Sequence, residues 1–404
     1  MIVKIKTILK WAAITTVLGL SCGVIGYLFF KTLETVTTLR ANYNYIVFLL
    51  PIGGLLSVLL NNLLKTTNVN TNTIIHTASG GEKITAKILP AIFTSSILTH
   101  LFGGSAGREG AALQIGGGTA ACLGKAFKLD KDDLSAATVA GMGATFSALF
   151  GTPIGACIFA LEVAYCKKIF VKAAIPTLAS SLLAFFVSVS LGTHPERFEF
   201  NHPTYDGIFA LRVILISFVV AIVGTLFCFA LKFCHNNFKK AIKNDYLLIF
   251  IGGVAILLLT LLIGNQDYNG SGNSLIVRIF EEGKVNSYDF LLKLIFTVIT
   301  VAVGFRGGEI VPSFCIGATL GGYIATTLGV DVTIGAVIGM TAIFNAVTKC
   351  PIATIFVCLE MFGINALPLC IVAVIMSMLL SGRTGLYKYK ENKFSQLKKI
   401  TSRI

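Results

Sequence analysis

Two acidic residues stand at the starts of glycine-rich apolar segments, where a carboxylate can do chemistry. The first, Glu109, follows Arg108 within GGSAGREGAALQIGGG at 103–118. Backbone N–H groups at a helix start have no partner inside the helix and attract anions. A carboxylate placed there can occupy an anion site and leave it when protonated. We predict that Glu109 gates an anion path lined by Gly107, Arg108 and Gly110; the alternative is a capping glutamate in a surface loop.

The second acidic residue is Glu309, within GFRGGEIVPSFCIGATLGG at 304–322. Gly307 and Gly308 precede it, and Pro312 falls in the first turn of the expected helix, where proline is tolerated. A buried carboxylate here can carry a proton through a dry region, because burial and nearby charges tune its affinity for protons. The sequence predicts a second anion-attracting helix start. The alternative is a glutamate satisfied by backbone N–H groups.

Two further segments contain groups that can line an anion site. In VNTNTIIHT at 69–77, the amide of Asn70 can donate hydrogen bonds to an anion, and an ordinary helix cap is the alternative. In SGRTGLYKYKE at 381–391, the hydroxyl of Tyr387 can reach inward from a glycine break. The alternative for Tyr387 is an aromatic anchor at the membrane interface.

The elements that must position these residues are membrane helices. Hydrophobic residues make up 55% of the 404 residues, charged residues only 13%, and the mean hydropathy is +0.82. Apolar segments recur at close to the roughly 20 residues that cross a bilayer, several of them broken by Gly or Pro. They lie near 11–30, 45–64, 84–102, 134–150, 173–192, 208–233, 247–264, 289–304 and 367–381. We predict an all-α polytopic membrane protein, and not an enzyme, because no nucleophile–base set stands out.

An internal repeat divides the chain. GMGATFSALFGTPIGACIFALEV at 141–163 matches GMTAIFNAVTKCPIATIFVCLEM at 339–361 at nine identical positions, which include both glutamates, Glu162 and Glu360. Because repeated residues more often serve the scaffold than a single path, we assign these two glutamates structural roles. Transporters are commonly built from such repeats, with the binding site between them.

The repeat predicts one transmembrane domain over 1–404, with halves of about 1–200 and 208–404 and a polar connection at 193–207. We expect the halves to be inverted relative to each other and built of tilted, broken helices. The short polar segment after Ser381 predicts no C-terminal regulatory domain.

Charge and cysteine content restrict location and partners. The net charge is +14, but the basic residues lie at the ends of apolar segments and not on one domain, which argues against nucleic acid. Both termini are basic, with Lys4, Lys6 and Lys10 at one end and Lys388, Lys390, Lys393, Lys398, Lys399 and Arg403 at the other. The positive-inside rule therefore predicts cytoplasmic termini and an even number of crossings of the cell membrane. The ten cysteines include no CxxC pair, so we expect buried free thiols such as Cys22, Cys122, Cys157 and Cys315, with no metal or cofactor.

These segments together resemble the CLC family of chloride channels and transporters, over roughly 45–390. GREG at 107–110 matches the family motif, so the resemblance implies that Glu109 is the gating glutamate. It also implies that Tyr387 is the central tyrosine and that Asn70 stands where a serine normally touches the anion. The family fold implies a homodimer in which each subunit has its own pore and two inverted halves.

Departures from the common family pattern resemble the fluoride-exporting branch. The internal proton-accepting glutamate of chloride antiporters would fall at Val163, whereas a glutamate appears at Glu309 within GFRGGE. A threonine that often follows this glutamate by two places is Val311 here. The resemblance implies export of fluoride driven by inward proton movement through Glu109 and Glu309. The alternatives are a chloride/proton antiporter and a passive chloride channel. The implied partners are fluoride or chloride, the lipid bilayer and, for either antiporter, protons.

Overall fold

The fold, taken from a computed structural model, is described for residues 2–79, 84–164, 167–201, 206–382 and 384–387. Within these ranges the chain forms sixteen α-helices and no β-strand. The first eight are α1 (Ile2–Asn42), α2 (Leu50–Leu64), α3 (Thr71–Ala78), α4 (Ile88–Phe102), α5 (Glu109–Ala126), α6 (Lys131–Phe150), α7 (Pro153–Ala164) and α8 (Lys167–Leu191). The second eight are α9 (Gly207–Ala241), α10 (Asp245–Ile263), α11 (Asn273–Glu282), α12 (Asp289–Ala302), α13 (Ile310–Thr327), α14 (Val332–Thr348), α15 (Pro351–Phe362) and α16 (Leu367–Leu380). The basic residues Lys388 to Arg403 lie outside the described ranges.

Three pairs of helices have similar lengths in the two halves. Each half begins with a long helix, of 41 residues in α1 and 35 in α9. The fifth helices, α5 and α13, both have 18 residues, and the seventh helices, α7 and α15, both have 12. These three pairs agree with the repeat found in the sequence, whereas the eighth helices differ, with 25 residues in α8 and 14 in α16. The inversion of the halves stays a prediction.

Six segments are long and apolar enough to cross a membrane, within the described part of the chain. They are Ile5–Asn42, Asn44–Leu64, Val171–Leu191, Gly207–Ala241, Asp245–Ile263 and Ile310–Thr327. Other apolar helices, such as α7 and α15, are too short to span alone. Short helices are tolerated at membrane depth where neighbouring protein surrounds their ends. The all-α, multi-pass prediction is therefore confirmed.

Local sequence accounts for where the helices begin and end. The Asp130 side chain accepts from the Asp133 N–H at 2.7 Å, and the Asn244 side chain accepts from the Tyr246 N–H at 2.9 Å. Each satisfies a donor that the first helical turn leaves unpaired. α6 stops at Gly151, whose φ of 71° is a left-handed conformation that glycine adopts without a steric penalty.

Small residues let neighbouring helices approach closely. A Cβ added to Gly116 of α5 would lie 2.1 Å from the Gly141 carbonyl oxygen of α6. The same contact recurs in the second half, where a Cβ on Gly339 of α14 would lie 1.9 Å from the Gly317 carbonyl oxygen of α13. Within a bilayer, packing of this kind replaces the hydrophobic effect as the force between helices. It fixes the positions of α5 and α13, the two helices that begin at the acidic motifs.

The two repeated glutamates hold the halves together. The Glu360 carboxylate accepts from the Ile154 and Gly155 N–H groups at the start of α7, at 3.0 and 2.7 Å. In return, Glu162 of α7 accepts from the Ala353 N–H at the start of α15, at 2.9 Å. Each carboxylate thus caps the helix that carries the other, in agreement with the structural role predicted for both.

The cysteine prediction was right for three residues and wrong for one. Cys22, Cys157 and Cys315 are buried free thiols. Cys122 is also free but exposed, because it lies on an outward face of α5.

Candidate functional site

The starts of α5 and α13 meet at the boundary between the halves. The Gly107 N–H donates to the Gly308 carbonyl, and the Gly308 N–H donates to the Gly107 carbonyl, both at 2.7 Å. This pair of bonds is an isolated antiparallel bridge. A Cβ on Gly307 would lie 2.4 Å from the Ala106 Cβ, so the two backbone segments are too close together for a side chain at position 307. The acidic motifs of the two halves therefore form one site.

Glu109 lies at the centre of this site and is fully buried. Its Oε1 accepts from the Arg108 N–H at 3.0 Å, and its Oε2 accepts from the Val311 N–H at 3.2 Å. One donor belongs to the start of α5 and the other to the start of α13. The carboxylate thus occupies a position where an anion would be bound by N–H groups from both halves.

Two glycines make space for this carboxylate. A Cβ on Gly107 would lie 2.2 Å from Glu109 Oε2, and a Cβ on Gly308 would lie 2.7 Å from the same atom. A Cβ on Gly110 would meet the Gly308 Cα at 3.1 Å and the Gly307 carbonyl oxygen at 3.2 Å. Any side chain at Gly107 or Gly308 would therefore displace the carboxylate from its donors.

Glu309 lies beside Glu109, on the other half. It is the residue that immediately precedes α13, it is partly buried, and its carbonyl accepts the first helical bond from the Ser313 N–H at 3.0 Å. The two carboxylates interact electrostatically. Val163 is fully buried near the end of α7. It stands at the position where the resemblance to chloride antiporters implies an acidic residue. Glu309 is thus an acid next to Glu109, whereas position 163 offers none.

Arg108 lines a cavity of about 680 Å³. Its guanidinium pairs with Glu196 and lies over the rings of Phe30 and Phe150, at 5.1 and 5.6 Å from their centroids. Val311, whose N–H binds Glu109, also lines this cavity. The cavity therefore extends to the residues that bind Glu109.

Asn70 caps α3. Its Oδ1 accepts from the Thr73 N–H at 3.1 Å, and the Thr73 hydroxyl accepts from the Asn70 N–H at 3.3 Å. The side chain is exposed, so the helix-cap alternative describes its observed contacts. The next residue contacts the site instead: the Thr71 hydroxyl accepts from Gln114 Nε2 at 3.2 Å and donates to the Gly110 carbonyl at 3.5 Å. Sequence reasoning missed Thr71 by one position.

Tyr387 lies inside the protein, with 4% of its surface exposed, so it is not an anchor at the membrane interface. Its ring centroid is 6.3 Å from that of Phe159, which is 5.7 Å from that of Phe344. Phe344 stacks on Phe314 of α13 at 5.0 Å. Because α13 begins at the site, this row of aromatic rings extends from the site into the protein. Ring edges carry partial positive charge and can face an anion.

Two cations, one buried and one half-buried, also support the site and were not singled out from the sequence. Lys293 of α12 is fully buried, and its Nζ donates to the Ser105 hydroxyl at 2.9 Å and to the Gly270 carbonyl at 2.7 Å. Arg306 donates to the Val69 and Thr67 carbonyls at 2.7 and 3.0 Å. Lys293 thereby fixes the segment before α5, and Arg306 fixes the segment before α3. A lysine within the apolar LKLIF of α12 was the available signal, since ionisable residues at membrane depth are expensive.

The site contains groups that can bind an anion and groups that can bind and release a proton. Among the described residues, no three His, Cys, Asp or Glu side chains cluster as metal ligands. The site instead offers N–H donors, a buried carboxylate that uses them and a second carboxylate alongside. This arrangement, within a bundle of membrane-length helices, defines a membrane protein that handles anions.

The chain belongs to the CLC family: residues 68–382 match the family model described as voltage gated chloride channel. It is 32% identical over 389 residues to the chloride/fluoride channel protein of Pseudomonas syringae pv. tomato, which covers 94% of this chain and 86% of that relative. It is 27% identical over 329 residues to an H(+)/Cl(−) exchange transporter, ClcA, of Vibrio cholerae serotype O1, covering 74% of this chain and 68% of that relative.

Solved structures share the whole fold. A CLC-type fluoride/proton antiporter superposes with a TM-score of 0.89 at 31% identity, covering 93% of this chain and 96% of that chain. A slow cyanobacterial Cl−/H+ antiporter superposes with a TM-score of 0.82 at 18% identity, covering 95% and 98%. The second likeness establishes the fold alone.

Proposed function

We propose that this protein is a secondary active transporter that exports fluoride from the cytoplasm in exchange for protons. The observation that carries the proposal is that the Glu109 carboxylate uses N–H donors from both facing helix starts. A charged carboxylate and an anion compete for these donors. A protonated carboxyl group competes poorly, so it leaves and an anion can enter. Occupancy by the anion is thereby linked to binding of a proton.

We propose fluoride, and not chloride, as the transported ion for two reasons. Glu309 is an acid beside Glu109, while Val163 replaces the acid that the resemblance to chloride antiporters leads one to expect. In addition, the 31% identical structural relative is described as a fluoride/proton antiporter. We assign Glu309 the role of second proton-carrying group, which passes protons between Glu109 and the cytoplasmic side.

The remaining site residues are assigned to the anion. In the proposal, Gly107, Gly110, Gly307 and Gly308 bring backbone close enough to donate, and Arg108 adds positive charge on the cavity side. Tyr387 faces the anion from the aromatic row. Asn70 contributes through the N–H₂ group of its amide, since the amide oxygen already caps α3.

The orientation follows from the basic termini. We place the protein in the cell membrane with both termini in the cytoplasm. The connection at 193–207 between the halves then faces outward. His194, Glu196 and Glu199 of that connection line the cavity. Protons therefore enter from outside through the cavity and reach Glu109 past Val311. Export of this kind counters the trapping of fluoride that enters as neutral hydrogen fluoride and dissociates inside.

We also propose that two copies form a homodimer, as the family resemblance implies. Apolar side chains on α8 and α15 are exposed in the single chain, including Val171 and Ile175, both 80% exposed, and Ile352, 56% exposed. Lipid or a second copy can cover them. Cross-linking of single cysteines placed at these positions, in native membranes, tests the dimer.

The function is tested with purified protein in liposomes, by recording fluoride efflux, chloride efflux and proton uptake together. We expect fluoride efflux coupled to proton uptake, and loss of that coupling in Glu309→Gln. Glu281→Gln is the matched control, because Glu281 is an exposed acid on the cavity and not at the helix starts.

Other outcomes would reassign the function. Chloride efflux as fast as fluoride efflux, still coupled to protons, would make the protein a chloride/proton antiporter. Halide efflux without proton movement, unchanged in Glu309→Gln, would make it a passive channel.

A further inference from the structure

The cavity contains an ion pair that links the connection between the halves to the acidic motif of α5. Glu196 Oε1 accepts from Arg108 Nη2, and the two side chains are only 16% and 15% exposed. Arg108 is the residue next to Glu109, and its own N–H binds the Glu109 carboxylate. A tethered carboxylate therefore stands directly outside the gating position, on a cation that faces the cavity.

The position of Glu196 is fixed by the end of α6. The Glu196 N–H donates to the Phe150 carbonyl at 3.4 Å, and Pro195 packs against Gly151, where an added Cβ would lie 2.5 Å from the Pro195 Cβ. The backbone of this part of the connection is thus anchored. Only the Glu196 side chain needs to rotate for the ion pair to open.

The surroundings of Arg108 are those of an anion site. The rings of Phe30 and Phe150 lie against the guanidinium, so they exclude water from part of the cation. The structure pairs Arg108 with Glu196 and, within the described residues, with no other carboxylate. Guanidinium groups bind carboxylates and small inorganic anions through the same N–H donors. Glu196 occupies the place that such an anion would take.

We propose that Arg108 forms a second, outer halide site whose occupant in the resting protein is the Glu196 carboxylate. The inference deepens the proposed function and rests on it for the direction of transport. A halide leaving the Glu109 position displaces Glu196 from Arg108, and Glu196 returns when the halide enters the cavity. Because Glu196 is tethered, its effective concentration at Arg108 is on the order of millimolar or higher. External halide at lower concentration is therefore kept out of the site.

This proposal predicts that removing the charge of Glu196 exposes the site to external halide. In liposomes, Glu196→Gln should lower the external fluoride concentration that half-inhibits export by at least tenfold. Glu199→Gln is the matched control, since Glu199 lies on the same connection and lines the same cavity without pairing with Arg108. Glu196→Asp keeps the charge and should behave like the wild type. That result would show that the effect of Glu196→Gln does not come from a general folding defect.

The location of the site is tested with bromide, which is detected by anomalous X-ray scattering. Crystals of the full-length Glu196→Gln protein soaked in sodium bromide should show a peak in contact with the Arg108 guanidinium, and Glu199→Gln crystals should show none there. Absence of that peak in Glu196→Gln, or unchanged inhibition by external fluoride, overturns the proposal. Failure of the proposed function can be told apart from failure of this inference. A protein that moves no fluoride in liposomes can still bind bromide at Arg108.

Discussion

Replacement of Glu109 by glutamine is the most direct test of the gate. Both carboxylate oxygens accept N–H groups, from Arg108 at 3.0 Å and from Val311 at 3.2 Å. Glutamine has nearly the same shape but only one acceptor oxygen, and its N–H₂ group would point at one of the two N–H donors. The variant thus keeps the volume of the side chain and removes its charge, its proton and one of its two bonds.

The hydrogen bonds set the size of the effect. A hydrogen bond to a charged group contributes about 1.5–3 kcal/mol, so two contribute roughly 3–6 kcal/mol. Since about 1.4 kcal/mol corresponds to a factor of ten, the charged carboxylate holds its donors against an open site by roughly a hundredfold or more. Protonation weakens this hold in the wild type. Glu109→Gln keeps at most one of these bonds, without the charge that strengthens it, and it has no proton to deliver.

The assay is fluoride-driven proton uptake into liposomes that contain the purified variant. We expect proton uptake in Glu109→Gln to fall to the level of protein-free liposomes, with fluoride flux either uncoupled or stopped. Glu281→Gln, on the cavity surface, should transport like the wild type. Proton uptake coupled to fluoride at the wild-type ratio in Glu109→Gln would refute the gate assignment.

Three further predictions concern the frame of the site. Gly308→Ala should reduce fluoride transport more than tenfold in liposomes, because the new Cβ would lie 2.7 Å from Glu109 Oε2; Gly207→Ala, where an added Cβ meets nothing within 4 Å, should have no effect. Glu360→Gln should lower stability by about 1–3 kcal/mol, since one N–H at the start of α7 is left unpaired, while proton coupling stays intact. A lower thermal midpoint in detergent with an unchanged proton-to-fluoride ratio is the expected result, and a changed ratio would contradict a purely structural role. Lys293→Met should also lower the thermal midpoint, by the equivalent of about 1–3 kcal/mol for each buried oxygen left without a donor; a midpoint equal to that of the wild type would count against it.

The sequence was informative where a residue conflicts with its surroundings. Glu109 and Glu309 are charges within glycine-rich apolar segments, and charge at membrane depth is costly enough to mark a functional position. The glutamates Glu162 and Glu360 were assigned structural roles because they occupy equivalent positions in the two matching segments at 141–163 and 339–361. The helices themselves followed from apolar segments of near-bilayer length.

Other features depend on contacts between distant segments and have no local signal. Asn70 and Thr71 are adjacent polar residues, and only the packing of α3 against α5 decides that Thr71 contacts the Gly110 carbonyl. Glu196 lies in a polar connection, 88 residues from the arginine with which it pairs. Lys293 carried a usable signal, but its acceptors come from two distant segments, one with Ser105 and one with Tyr268 and Gly270.

The mutual hydrogen bonds between Gly107 and Gly308 limit how this protein can move. They tie the two halves together at the very point where an ion would pass from one face of the membrane to the other. If the halves rocked apart to change access, both bonds would break and leave backbone groups without water to replace them. Rotating single side chains within a fixed backbone breaks neither bond, so it switches access at a lower cost in free energy. Such a design favours a carrier that works by small rotations and keeps nearly the same outline throughout its cycle.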